Sequence, residues 1–160
     1  MMNKLSSYSS FLICYLPILV VQVISGIVTR QSIDPWYYSL EKASWNPPPW
    51  LFGPVWTLLY VMMTISLYRI YKHEHNFQLK KPLYALFFTQ LFLNFLWSIL
   101  FFGLQETLWA LLDLSLLIIV LSITIRNFYT FDKFASYLLI PYLLWISYAF
   151  TLNIAIYYLN

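Results

Sequence analysis

The chain has 160 residues, of which 61% are hydrophobic and 9% are charged, and its mean hydropathy is +0.69. Soluble domains carry about a quarter charged residues, so this composition excludes an ordinary water-soluble protein. The net charge of +3 is small and lies between the apolar runs, which excludes a nucleic-acid-binding surface. We therefore expect an integral membrane protein whose surroundings are the lipid bilayer.

Charge-poor runs of about 20 residues, the length that crosses a bilayer, recur along the chain. They predict helices at approximately residues 8–28, 48–72, 81–103, 106–127 and 133–158, with a long first link at residues 29–46. The other connections are short. This pattern is typical of an all-α membrane protein, and we expect one domain over residues 1–160 formed by a bundle of five transmembrane helices.

The first apolar run follows Lys4 and is similar to the apolar part of a signal peptide. The run continues to Val28 without a charge, and no small-residue cleavage site closes it, so we expect a retained first helix. Pro17 and Pro141 fall inside apolar runs and should bend their helices. Around Pro54, either the helix begins near Pro48 and kinks, or an extended lead-in precedes a helix that starts at Pro54.

The basic residues predict the orientation, because Lys and Arg accumulate on the cytoplasmic side of membrane proteins. One side of the predicted topology collects most of the 9 basic residues, namely Lys4, Arg69, Lys72, Lys80, Lys81, Arg126 and Lys133. The other side holds only Arg30 and Lys42. We expect a cytoplasmic N-terminus, with the first link and the C-terminus outside.

Cofactor chemistry has little support in the sequence. Cys14 is the only cysteine, which excludes an intrachain disulfide and a thiolate metal site. His73 and His75 lie in a charged link, so no apolar run supplies an axial ligand for haem iron. No carboxylate pair, Ser–His–Asp set or glycine-rich phosphate loop is present. We expect no metal and no cofactor.

Aromatic and polar residues follow single faces of four predicted helices. These are Gly53, Trp56, Tyr60 and Met63; Gln90, Asn94 and Trp97; Trp109 and Asp113; and Tyr142, Trp145, Ala149, Leu152 and Asn153. The first helix adds only Gln22. Such faces are typical of helix packing and interhelical hydrogen bonding as well as of ligand sites, so Asn94 and Asp113 could be structural or ligand-binding.

These faces lie under the first link, and their residues are of the types that line sites for large, flat, mostly apolar ligands. The link itself contains Trp36, Tyr37 and Tyr38. We expect this aromatic segment to form part of a lid over the site.

Four segments of unusual composition occur in order across most of the chain. They are S-W-N-P-P-P-W-L-F-G-P-V-W-T-L-L-Y (Ser44–Tyr60), L-F-L-N-F-L-W (Leu91–Trp97), F-F-G-L-Q-E-T-L-W-A-L-L-D (Phe101–Asp113) and P-Y-L-L-W-I-S-Y-A-F-T-L-N (Pro141–Asn153). Together they resemble the translocator protein (TspO/MBR) family, whose members are also called tryptophan-rich sensory proteins or peripheral-type benzodiazepine receptors. The resemblance implies a five-helix membrane protein, usually a homodimer, that binds porphyrins such as protoporphyrin IX and isoquinoline-carboxamide ligands.

The resemblance also implies roles for individual residues. Trp56 and Trp145 match two tryptophans linked in the family to light-dependent porphyrin breakdown. Trp109, Leu112, Ala149 and Leu152 match pocket-lining positions, and Asn94 and Trp97 match a polar–aromatic face. The full set of expected ligand contacts is Trp36, Tyr37, Trp56, Tyr60, Asn94, Trp97, Trp109, Leu112, Asp113, Trp145, Ala149 and Leu152.

Animal members bind cholesterol through a C-terminal L/V-x-Y-x-K/R pattern, and here only Tyr158, Leu159 and Asn160 follow Tyr157. Because the basic residue is missing, we do not expect cholesterol binding, and a bacterial plasma membrane is the expected location. Three functions remain open: a porphyrin-binding protein, which we favour; a light- and oxygen-dependent porphyrin-degrading enzyme; and a porphyrin transporter or stress sensor. The odd number of helices without repeated halves disfavours alternating access within one chain.

Overall fold

The computed structural model describes residues 7–73 and 77–160, and within these ranges all regular secondary structure is helical. Lys4 and His75, on which part of the sequence argument rests, lie outside the described residues. Helical stretches long and apolar enough to cross a membrane are Ser7–Tyr37, Pro49–Lys72, Phe77–Gly103, Thr107–Phe131 and Lys133–Leu159. The predicted all-α fold with five membrane-spanning segments is confirmed.

The spans contain six α-helices. These are α1 (Ser7–Ser32), α2 (Phe52–Lys72), α3 (Phe77–Ser98), α4 (Thr107–Phe131), α5 (Lys133–Tyr137) and α6 (Ile140–Leu159). A 3-10 turn at Pro49–Leu51 precedes α2, and π-helical segments at Ile33–Tyr37 and Ile99–Gly103 extend α1 and α3.

The first helix continues well past Val28, where the sequence placed its end. No proline lies between Val28 and Pro35, so the helix can continue to that point. The proline ring disfavours the helical conformation of the residue before it. Asp34 accordingly has an extended backbone (φ −119°, ψ 127°), and the helical path bends there. Part of the predicted first link is therefore helical and lies on the bundle.

The prolines affect the helices according to their position in a turn. Pro54 lies in the first turn of α2, where its missing N–H removes no helical hydrogen bond; the structure thus falls between the two alternatives at this site. The fifth span divides into α5 and α6 at Leu138–Leu139, and Pro141 lies at the start of α6. Pro17 lies inside α1, which is continuous through it.

The spans form a ring in which α1 packs on α2 and α3, α3 on α4, and α4 on α5 and α6. The fifth span closes the ring against α2. At one end the Ser66 hydroxyl donates to the Ala135 carbonyl at 2.7 Å. Further along, ring contacts join Trp56 to Tyr142 (centroids 6.1 Å apart) and Phe52 to Trp145 (5.9 Å), so large side chains separate α2 from α6.

The two ends of the bundle are held by different contacts. At the end with the α2–α3 link, Ser7 Oγ lies 2.6 Å from Tyr68 Oη, and Arg69 Nε donates to Asp132 Oδ2 at 2.8 Å. At the opposite end, the Glu41 amide donates to Asn160 Oδ1 at 3.0 Å, and Tyr148 Oη donates to the Trp45 carbonyl at 2.6 Å. The first link is therefore fastened to α6.

Asp132 caps α5 by accepting a hydrogen bond from the Ala135 amide at 3.0 Å. Burial alone would raise the pKa of this carboxyl, but the backbone hydrogen bonds and the Arg69 guanidinium outweigh it and hold the pKa below its ordinary 3.8. A depressed carboxyl pKa adds stability that is fully present above the unfolded-state value and is lost as the pH falls through the folded-state value.

We predict that Asp132→Ala lowers the free energy of unfolding by about 1 kcal/mol at pH 7, the usual effect of losing an N-cap. Asp132→Asn keeps a capping oxygen and loses only the charge, so its loss should be smaller. Thermal unfolding in detergent micelles measures both. The difference between wild type and Asp132→Asn should shrink below pH 3.8. An equal difference at pH 3 and pH 7 would exclude a contribution from the charge.

Candidate functional site

A cavity of about 430 Å³ lies between α1, α2 and the end of α3, beneath the first link. We call it the α1–α2 cavity. Its lining residues are Gln22, Ser25, Gly26, Thr29, Arg30, Ile33, Tyr37, Pro49, Trp50, Phe52, Gly53, Trp56, Thr57, Tyr60, Trp97, Ser98 and Phe102. The exposed members of this set include Gly26 and Arg30 on α1 and Gly53 and Thr57 on α2. The cavity therefore opens between these two helices.

Two glycines keep this opening wide. A Cβ atom added at Gly26 or Gly53 would meet no heavy atom within 4 Å. Nearer the other end of the bundle, α1 and α2 contact each other through Phe11 and Tyr68, whose ring centroids are 5.6 Å apart. The two helices thus pack at one end and leave a gap at the other.

Flat rings form the inner side of the cavity, which we call the aromatic wall (Trp56, Tyr60, Trp97 and Phe102). Trp56 stacks on Tyr60 at 5.6 Å and 30°. Trp97 stacks on Phe101 at 5.3 Å and 15°, while Phe102 packs edge-on against Trp97. Because each ring is held by another ring, the wall presents preformed faces for a planar molecule.

Hydrogen bonds behind the aromatic wall hold its polar atoms. Tyr60 Oη donates to Asn94 Oδ1 at 2.7 Å, and Trp97 Nε1 donates to Asn153 Oδ1 at 3.3 Å. Asn153 Nδ2 in turn donates to the Thr107 carbonyl at 2.9 Å, which joins α3, α4 and α6. Asn94 and Asn153 therefore position the wall and do not line the cavity.

The first link covers one end of the cavity. Tyr37 is buried, lines the cavity and donates from Oη to Asn46 Oδ1 at 3.3 Å, with Lys42 Nζ 4.9 Å from its ring centroid. Trp36 packs on Phe101 at 5.4 Å, outside the cavity lining. Of the expected lid segment Trp36–Tyr38, Tyr37 is thus the residue that lines the cavity.

The remaining expected residues lie in three other places. Ala149 and Leu152 line a second, much smaller cavity of about 30 Å³ behind Phe102. Trp145 packs against Phe52, and Asp113 is buried in the bundle, outside both linings. Trp109 and Leu112 are 60% and 53% exposed and lie on the outer surface of the chain. The structure therefore brings Tyr37, Trp56, Tyr60 and Trp97 together in the lining of the α1–α2 cavity, and the other expected residues lie outside that lining.

Several buried polar atoms near the core have no hydrogen-bond partner of good geometry within the described residues, although Ser25 lies beside Tyr60 and Tyr142 beside Asn94. They are the side-chain atoms Gln90 Nε2 and Oε1, Asp113 Oδ1 and Oδ2, Tyr142 Oη, Trp145 Nε1 and Ser25 Oγ. Ser25 alone among these residues lines the α1–α2 cavity.

Sequence reasoning missed the contribution of α1 to this site, apart from Gln22. Ser25, Gly26, Thr29 and Arg30 lie 3, 4, 7 and 8 positions after Gln22, the spacing of one helix face. Small and polar residues at this spacing in an apolar helix indicate a face that does not meet lipid.

Over residues 7–73 and 77–160, no group of three or more His, Cys, Asp or Glu side chains could hold a metal ion. The site offers apolar contact, stacking and a few polar groups. Its arrangement suits binding of an organic molecule.

Comparisons with known proteins agree with this architecture. The model of the TspO/MBR family matches residues 13–159. The chain is 49% identical over 145 residues to the tryptophan-rich protein TspO of Archaeoglobus fulgidus, covering 91% of this chain and 93% of that protein. It is 41% identical over 120 residues to the translocator protein of Homo sapiens (74% and 70% covered). Protein CrtK of Rhodobacter capsulatus is 35% identical over 125 residues, with 78% of each chain covered.

Proposed function

Because this chain belongs to the TspO/MBR family and is an integral membrane protein, we propose that it binds a porphyrin of the protoporphyrin IX type in the α1–α2 cavity. Isoquinoline-carboxamide compounds, which are also flat and mostly apolar, would occupy the same space. The ligand would lie against the aromatic wall, with Tyr37 and the first link covering one edge.

The observation that carries this proposal is the pairing of a cavity of about 430 Å³ with stacked, preformed ring faces. Ligand pockets are typically about 300–1,000 Å³, mostly apolar, with a few polar groups that set orientation. The opening between α1 and α2 lets part of a larger macrocycle protrude. A planar apolar ligand would gain stacking and burial there without any catalytic group.

The curated relatives support the same class of function through their names. They include translocator proteins of several mammals and a tryptophan-rich sensory protein of Cereibacter sphaeroides. Translocation and sensing each begin with binding of a molecule. A binding site is the element that both roles share.

Light-dependent porphyrin degradation is a second candidate, favoured by the position of Trp56. This indole lines the cavity, so reactive oxygen formed by an excited porphyrin would arise beside an oxidisable ring. Trp145 does not line the cavity, and it packs against Phe52, which does. Trp56 should therefore contribute more to porphyrin degradation than Trp145.

The proposal includes an orientation and an oligomeric state. Arg69, Lys72, Lys80, Lys81, Arg126 and Lys133 all belong to the end of the bundle that holds the α2–α3 and α4–α5 links. We place this end in the cytoplasm of a bacterium, following the positive-inside rule, with the cavity toward the outer face. A homodimer is proposed by analogy with the family.

We predict that protoporphyrin IX quenches the tryptophan fluorescence of the purified protein at micromolar concentration, and that Gly26→Leu weakens binding about tenfold, a loss of about 1.4 kcal/mol. Leucine at this position meets open space, so the fold should tolerate it while the cavity opening narrows. Leu116→Phe, at an exposed position on α4, is the matched control. Absence of quenching in wild type would refute porphyrin binding. Wild-type affinity in Gly26→Leu would refute the location.

We predict that illumination of the porphyrin complex in air bleaches the porphyrin, and that Trp56→Phe slows bleaching more than Trp145→Phe. The measurement is the loss of porphyrin absorbance over time, at equal ligand occupancy. Bleaching at the wild-type rate in Trp56→Phe would mean that this indole has no part in degradation.

We predict the labelling of single cysteines introduced into a protein that carries Cys14→Ser. In intact cells, a membrane-impermeant maleimide should label the cysteine of the Glu106→Cys variant. Lys81→Cys should be labelled only after permeabilisation, because it lies at the basic end. Both positions are exposed to reagent. The reverse labelling pattern would show that the orientation is inverted.

A further inference from the structure

Among the residues that the structure describes, Arg30 is the only basic one that lines the α1–α2 cavity. It lies in the last turn of α1, at the exposed opening. Among the described residues the ion pair of Arg69 with Asp132 is the one salt bridge, and Arg30 makes neither a salt bridge nor a side-chain hydrogen bond. Asp34, one helical turn further along the chain, does not pair with it. A guanidinium with five donors thus stands without an acceptor at the edge of an apolar cavity.

The side of the cavity opposite the aromatic wall is polar. Gln22, Ser25 and Thr29 share the α1 face with Arg30 and line the same space. Ser25 is buried, and its hydroxyl lies beside that of Tyr60 in the aromatic wall. The cavity is therefore amphipathic, with flat rings on one side and hydrogen-bond donors on the other.

We infer that Arg30 is a specificity-determining residue that selects ligands carrying an anionic group, by pairing with that group at the opening while the apolar body lies on the aromatic wall. This inference rests on the proposed function, because it assigns the ligand class of the same cavity. The shared chemistry is a carboxylate on an apolar body. Its source is either a propionate of a porphyrin or the carboxylate of a lipid that enters between α1 and α2.

Arginine suits this task because its planar guanidinium binds a carboxylate through two parallel hydrogen bonds. At a membrane-facing opening the pair is less hydrated than at an open surface, which strengthens the interaction. A methyl ester has the same apolar body but no charge, so it measures the contribution of the carboxylate directly.

The test compares protoporphyrin IX with its dimethyl ester, by tryptophan quenching in neutral detergent, on wild type, Arg30→Gln and the matched control Arg126→Gln. Wild type should bind the acid about tenfold more tightly than the ester, a typical effect of a charge-assisted hydrogen bond. Arg30→Gln should lose this preference and keep the affinity for the ester. Arg126→Gln should retain the preference, because Arg126 is exposed near the α4–α5 link, at the opposite end of the bundle and outside the cavity lining.

A second arm uses dibromostearate and its methyl ester, whose bromine atoms quench nearby tryptophans. If the acid preference depends on Arg30 in the porphyrin arm alone, the carboxylate that Arg30 binds belongs to a porphyrin. If an Arg30-dependent acid preference appears in the lipid arm, Arg30 binds the carboxylate of a lipid. If porphyrin fails to quench wild type, the proposed function fails, and the lipid arm still decides the role of Arg30. The inference is overturned if neither arm shows an acid preference, or if Arg30→Gln weakens acid and ester equally in the arm that binds.

Discussion

The hydrocarbon of a membrane offers no hydrogen-bond partner, and this constraint organises the molecule. Backbone N–H and C=O groups form hydrogen bonds with one another within helices, and polar side chains are most stable when they form hydrogen bonds inside the bundle. Tyr60 with Asn94, and Trp97 with Asn153 and the Thr107 carbonyl, are such pairs. These bonds join four of the five spans. They also fix the rings that form the inner side of the cavity, so the same interactions stabilise the fold and shape the site.

The cavity exists because two kinds of packing differ along the bundle. Where α3 meets α4, rings such as Phe87 and Phe128 stack closely (centroids 6.1 Å apart, 10°) and fill the space. At the other end, where α1 meets α2, Gly26 and Gly53 contribute no side chain, and no other residue fills the space beside them. Interiors are normally close-packed, so a gap of this size at one position, beside preformed rings, is consistent with a binding role.

The α1–α2 cavity has two chemically distinct sides. Its rigid aromatic side suits a flat ligand, since stacking residues lose little conformational freedom on binding. Its polar side ends in Arg30, which adds the means to distinguish charged from uncharged ligands of the same shape. The proposed function depends on the first side, and the inferred selectivity depends on the second.

The sequence by itself determined the all-α class, the five membrane spans and the family, because apolar length and the Ser44–Tyr60 motif are local properties of the chain. Helical spacing also predicted inward faces for Trp56, Tyr60 and Trp97, and all three line the α1–α2 cavity. It did not reveal that Trp109 and Leu112 face outward, or that α1 supplies one side of the cavity. Helical spacing groups residues on a face, but only the packing of helices distant in sequence decides which neighbour that face meets and where a gap remains.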